Sequence, residues 1–163
     1  MSNIEPLGND RISGFLGRRK LGWLRTPGGA FIVDFRTDFG QARVYLGAEG
    51  DGDIFVVRVT TGDAFGAECW PALMSLVNRW NADWRFAKAY LAFVDDDRAM
   101  LVAEHQTPIG TGIHDELLDV IAGVAIDAGI QFHRHVAEEL VEEDEDVDVP
   151  PPDEFEGWLD RSA

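Results

Sequence analysis

The spacing of apolar and polar positions changes character several times along the chain. From Asn9 to about Lys20, Ile12, Phe15 and Leu16 recur at helical spacing, which predicts a short amphipathic helix weakened by Gly14 and Gly17. After Thr26-Pro27-Gly28-Gly29 the pattern turns to β-branched and aromatic runs, Ala30 to Phe35, Gln41 to Leu46 and Ile54 to Thr60. TDFG and AEGDGD separate these runs, and their Gly and Asp residues supply the backbone angles of tight turns, so an antiparallel meander follows. Strand periodicity stops at Asp63. Beyond it Trp70, Leu73, Val77, Trp80 and Trp84 fall on one broad helical face, with Pro71 near the first turn, where its missing N–H does no harm. Two strands, Ala87 to Val94 and Ala99 to His105, are then joined by the turn Asp95-Asp96-Asp97-Arg98. A second long helix is predicted from about Ile113 to Leu140. Its apolar positions are Ile113, Leu117, Val120, Ile121, Val124, Ala128, Phe132, Val136 and Leu140, and Asp115 and Glu116 suit the positive end of its dipole. The order α-β-β-β-α-β-β-α, with strands clustered rather than alternating with helices, indicates an α+β domain. Its one antiparallel sheet of five strands is flanked by helices.

The period breaks down after Leu140, and this divides the chain into an α+β domain over 1–140 and an acidic, Pro-containing C-terminal tail over 141–163. Formal charge sharpens the division. Residues 1–137 hold 18 acidic and 13 basic side chains, whereas residues 138–163 hold 12 acidic and one basic. Self-repulsion and three consecutive prolines oppose compact structure in the tail. Phe155, Trp158 and Leu159 nevertheless form an i, i+3, i+4 trio, the pattern of a short helix that docks into a groove.

Composition then removes several classes of function. A chain of 163 residues with 45% hydrophobic residues has material for one core. No run approaches the roughly 18 apolar residues of a membrane span. The start MSNIEPLGNDR lacks the basic and apolar stretches of a secretion signal. The single cysteine, Cys69, fits a reducing compartment, so the cytoplasm is expected. Nucleic-acid binding relies on cations replacing counterions on phosphate, and only Arg18, Arg19 and Lys20 cluster, so no nucleic-acid partner is expected.

Candidate chemistry is sparse. His133 and His135 stand at i, i+2 and point to different helix faces, unlike the i, i+4 pair of a zinc helix. His105 and His114 flank a loop near Glu104 and Asp115, but surface or capping roles suit them better. Cys69 stands at a helix start without a neighbouring base, and a lone cysteine of this kind packs as a small hydrophobe. Gly47, Gly50 and Gly52 sit in a hairpin rather than before a helix, so no dinucleotide fingerprint exists. The EGDGD segment lacks the closing Glu of a calcium loop, since residue 62 is Gly. No cofactor, metal or catalytic residue is expected.

Residues 76–93 read LVNRWNADWRFAKAYLAF, with Asn78, Trp80 and Asn81 forming an Asn-x-Trp-Asn segment before Lys88-Ala-Tyr90. This segment, together with AMLVAEHQTPIGTGIHDELL over 99–118, resembles the YbjN family of bacterial sensory transduction regulators. The resemblance covers roughly Gly22 to Phe132 and omits the tail. It implies a fold like that of type III secretion chaperones, which commonly pairs into dimers, and a chaperone-like or regulatory role without catalytic residues. The residues themselves suggest that Trp80 anchors helix to sheet, while Asn78 and Asn81 bond backbone groups where the helix ends. Two functional expectations follow. The first is a non-catalytic module that binds another protein, with a homodimer as its assembly. The second is a small-molecule sensor or an enzyme with an aromatic pocket between sheet and central helix, walled by Trp84, Arg85 and His105.

Overall fold

The structure is a computed structural model in which residues 3–140 are described. The first helix, α1 (Asn9–Arg18), buries Ile12, Phe15 and Leu16. It ends in a Schellman turn: Leu21 N–H donates to the Leu16 carbonyl and Lys20 N–H to that of Gly17, with Lys20 left-handed at φ 55°. The strands β1 (Leu24–Arg25), β2 (Phe31–Thr37), β3 (Gly40–Glu49) and β4 (Ile54–Thr60) follow as a meander, and then the short β5 (Ala64–Gly66). One 3-10 turn at Ala67–Cys69 leads into α2 (Trp70–Asp83), which is followed by β6 (Lys88–Phe93), β7 (Arg98–Pro108) and α3 (Asp115–Leu140).

All pairings are antiparallel, and the sheet has seven strands rather than the expected five. The two additions, β1 and β5, are two and three residues long, too short for an alternating pattern to show. Ala99 pairs with Phe65 on one side and Phe93 on the other, while Glu104 pairs with Arg58 and Lys88. Strands β4 and β5 therefore share one edge of β7, interrupted at 61–63, and β6 occupies the opposite edge. The final helix starts at Asp115, not Ile113, because Ile113 is held in an isolated bridge to Glu5. Leu117 N–H donates to Nδ1 of His114, which caps the helix.

All three helices cover one face of the sheet. Ile12, Phe15 and Leu16 of α1 join Phe31, Val33, Val44, Leu46, Phe55, Val57 and Val59, together with the first half of α3. Leu73, Leu76, Val77 and Trp80 of α2 join Ala89, Leu101 and Ala103, together with Phe132 and Val136 from the second half of α3. The helix α3 therefore bridges the two halves of the core. It crosses β4 most closely at Gly129, where an added Cβ would fall 2.3 Å from Val59 Cγ2. One turn on, buried His133 donates its Nε2–H to the Val59 carbonyl at 2.9 Å, which places a ring proton on Nε2. The opposite face of the sheet carries two small clusters, Ala30 with Ile32 and Tyr45, and Ala64 with Met100, and no helical residue joins either.

Candidate functional site

The Asn-x-Trp-Asn segment lies in the last turns of α2, where the chain reverses into β6. Trp80 is buried, stacks on Trp84 with centroids 4.5 Å apart, meets Phe132 edge-on at 5.2 Å, and donates its indole N–H to the Ala87 carbonyl at 2.8 Å. Ala87 is left-handed at φ 55°, so this bond holds the strained residue that aims the chain into the sheet. Asn81 grips β6 in both senses: its Nδ2 donates to the Ala89 carbonyl at 3.0 Å and its Oδ1 accepts from Ala89 N–H at 2.8 Å. That amide occupies an outward-facing rung of an edge strand and blocks it from pairing with another chain. Asn78 does not share the work. It lies on the exposed side of α2 and makes no side-chain hydrogen bond among the described residues. The open carbonyls at the helix end are met instead by Lys88, whose Nζ donates to Asn81 and Trp84 oxygens at 2.9 and 3.2 Å, a favourable place for a cation.

The next residues emerge from the core. Trp84 was expected on the apolar face of α2, but the helix ends at Asp83 and Trp84 is extended, with one ring face on Trp80 and the side chain 50% exposed. Phe86 is equally exposed and meets the His105 ring edge-on at 5.7 Å. Between them Arg85 is exposed, and it forms no ion pair among the described residues. Partial burial holds the His105 pKa below the ordinary histidine value. Trp84, Arg85 and His105 thus belong to an open surface patch, not to the walls of an enclosed pocket. The space between α2 and the sheet is filled by Leu73, Leu76, Val77 and Trp80.

A second exposed surface lies on α3. Leu117, Val120 and Val124 were expected in the same apolar arc as Phe132 and Val136, yet they are 43%, 58% and 39% exposed. At i, i+3 and i+7 they form a two-turn stripe on the outer side of the helix. Alongside it, Arg18 bonds Asp119 through Nε at 3.1 Å and Nη2 at 2.5 Å, while Arg19 Nη2 donates to the Asp119 carbonyl at 3.4 Å. The cationic cluster of α1 therefore fastens α1 to α3.

A third feature, not expected from the sequence, lies on the sheet face that carries no helix. Arg58 is only 5% exposed in the middle of β4. Its Nη1 donates to Glu49 Oε1 at 2.7 Å, its Nε donates to Glu104, and the guanidinium lies 5.1 Å from the centroid of the Tyr45 ring. Tyr90 donates to Glu104 at 3.0 Å, and Gln106 to the other Glu104 oxygen at 2.6 Å. Burial opposes the Arg58 charge, but bonding to Glu49 and Glu104 outweighs it and keeps the pKa above the ordinary arginine value. Burial, then the Glu104 charge, push the Tyr90 phenol upward. A lone Arg in the apolar run IFVVRVT was the available signal. Its partners lie nine and 46 positions away and meet it only through the register of β3, β4 and β7.

Among the described residues no three His, Cys, Asp or Glu side chains gather to hold a metal ion. Cys69 is half-buried at the start of α2 with Glu68 4.0 Å from its sulfur. No described helix is long and apolar enough to cross a membrane. Phe155, Trp158 and Leu159 lie outside the described residues.

No curated protein matches the chain. By fold it is similar to the crystal structure of YbjN, "a putative transcription regulator from E. coli", with a TM-score of 0.65 and 13% identity, over 86% of this chain and 96% of that one. At that identity the likeness carries the fold, three helices and an antiparallel sheet in one α+β domain. The model of the YbjN family, described as "Putative bacterial sensory transduction regulator", matches residues 9–138. That span begins with α1, ends within the last turn of α3 and takes in every strand of the sheet, so the chain belongs to the YbjN family.

Proposed function

We propose that this chain is a non-catalytic, cytoplasmic protein-binding module of a regulatory or chaperone-like kind, and that it works as a homodimer joined through the outer face of α3. The observation that supports this reading is the stripe Leu117, Val120 and Val124, aliphatic residues left half-exposed on a helix that buries Leu118, Ala122, Ile126, Phe132 and Val136 on its other side. Fully burying such a side chain contributes about 1.5–3 kcal/mol, so completing the burial of three half-exposed ones gives roughly 3 kcal/mol. Association costs at least about 4 kcal/mol in lost freedom. A partner offering one flat polar face would not offset that cost. A two-fold pairing of this helix with its own copy doubles the stripe to six side chains and brings the sum above it.

Sedimentation velocity of the full chain tests the reading, with Val120→Glu as the variant. Val120 is the most exposed of the three, so the change leaves the core intact. The native chain should sediment as a dimer and the variant as a folded monomer. A native chain that is monomeric at tens of micromolar, or a variant that dimerises as well as the native chain, would remove α3 as the interface.

A further inference from the structure

The patch around Arg85 has a chemistry of its own. Trp84 and Phe86, each half-exposed, are the chain neighbours of Arg85, an exposed guanidinium with no anionic partner among the described residues, and Lys88 sits at the adjoining helix end. Such a surface suits a ligand that brings carboxylates and aromatic rings together, since Arg pairs with carboxylate and stacks on ring faces. One segment of this chain has that composition: Asp153-Glu154-Phe155-Glu156-Gly157-Trp158-Leu159-Asp160, which offers four carboxylates around two rings and a leucine.

The geometry allows the two to meet. The end of α3 lies against α2, with Glu139 bonded to Arg79 at 3.2 Å and His135 with its ring 6.1 Å from that of Trp80, which itself stacks on Trp84. From Leu140 the patch is less than the length of α2 away, about 21 Å for its 14 residues. Fifteen positions separate Leu140 from Phe155, a reach of up to roughly 50 Å. A nearer groove lies at the root of the tail, between Leu73, Leu76 and Leu140. Its cation, Arg79, is already paired with Glu139, and that carboxylate would repel the segment.

We propose that residues 153–160 dock within their own chain on the Trp84–Arg85–Phe86 patch, with Phe155 and Trp158 against the open rings and the flanking carboxylates on Arg85 and Lys88. The tail is then a built-in competitor for any acidic aromatic peptide that uses this surface. Docking is independent of the α3 stripe, which lies on the outer face of that helix.

Hydrogen exchange followed by mass spectrometry on the full chain tests this. A tether of this length gives an effective concentration of order millimolar, so an intrinsic Kd near 0.1 mM leaves about nine-tenths docked and slows exchange roughly tenfold. Amides of 153–160 should show that protection in the native chain. They should lose it in Arg85→Glu/Phe86→Ser, with the exchange of α1 and β2 to β4 unchanged as the control for folding. In Phe155→Ala/Trp158→Ala/Leu159→Ala, the amides of 84–90 should exchange faster. Val120→Glu should leave all of this unaltered, which separates the result from the fate of the dimer. Fast exchange of 153–160 in the native chain would overturn the proposal, as would protection that survives Arg85→Glu/Phe86→Ser. Protection that rises with protein concentration would overturn it too, by placing the tail on a second copy.

Discussion

His133 gives the sharpest link between a single contact and a measurable property. The side chain is buried and donates Nε2–H to the carbonyl of Val59. Burial disfavours the imidazolium, and although the Val59 carbonyl favours it, the pKa falls to about 4. In the unfolded chain the value is about 6.5, so between those limits the unfolded state binds a proton that the folded state refuses. Stability is therefore whole above pH 6.5 and is lost as the pH falls from 6.5 through 4. The lost contribution amounts to about 3 kcal/mol when complete, with about 2 kcal/mol already gone at pH 5. Urea denaturation at pH 7, 6 and 5 reads this directly. His133→Gln is the control, because a neutral amide can donate to Val59 but does not titrate, and both proteins share the same carboxylates. The native chain should lose about 2 kcal/mol more than the variant between pH 7 and 5. Parallel losses in the two proteins would refute the buried neutral imidazole.

Three further outcomes follow from other contacts. Lys20→Gly relieves a left-handed backbone at an exposed helix cap and should raise stability by about 1 kcal/mol, read as a higher urea midpoint. Arg58→Met leaves Glu49 and Glu104 facing each other with their cation gone and should cost about 3–5 kcal/mol, whereas Glu49→Gln/Arg58→Met/Glu104→Gln should recover most of that loss in the same denaturation assay. Gly129→Ala would gain about 1 kcal/mol on an open helix, but here the methyl collides with Val59, so thermal unfolding should show a lower midpoint.

The parts of the fold legible in the sequence are those whose periodicity is long enough to register. The runs Phe31 to Phe35 and Ile54 to Thr60 are dominated by β-branched and aromatic residues over five or more positions, and α1, α2 and α3 repeat their apolar residues over two turns or more. The residues at 24–25 and 64–66 do not, because two or three positions carry no period. Periodicity also cannot separate two faces that are both apolar. Leu117, Val120 and Val124 read like Phe132 and Val136, and only the placement of α1 and the sheet shows which side is covered. Trp84 continued the spacing of Trp80, but the chain leaves the helix at Asp83. Asn78 and Asn81 look equivalent in the segment and stand three apart on neighbouring positions of the helix, yet only Asn81, a turn nearer the chain reversal, reaches β6. The Arg58 network depends on three strands in register, which no local pattern encodes.

Native mass spectrometry of the purified full chain tests the protein-binding reading most directly, because one spectrum shows assembly and retained ligand together. The expected species is a dimer whose mass equals two polypeptides, with no small molecule bound. A monomer that carries a small organic ligand would contradict it, and would move the function from protein association to ligand sensing at the aromatic patch.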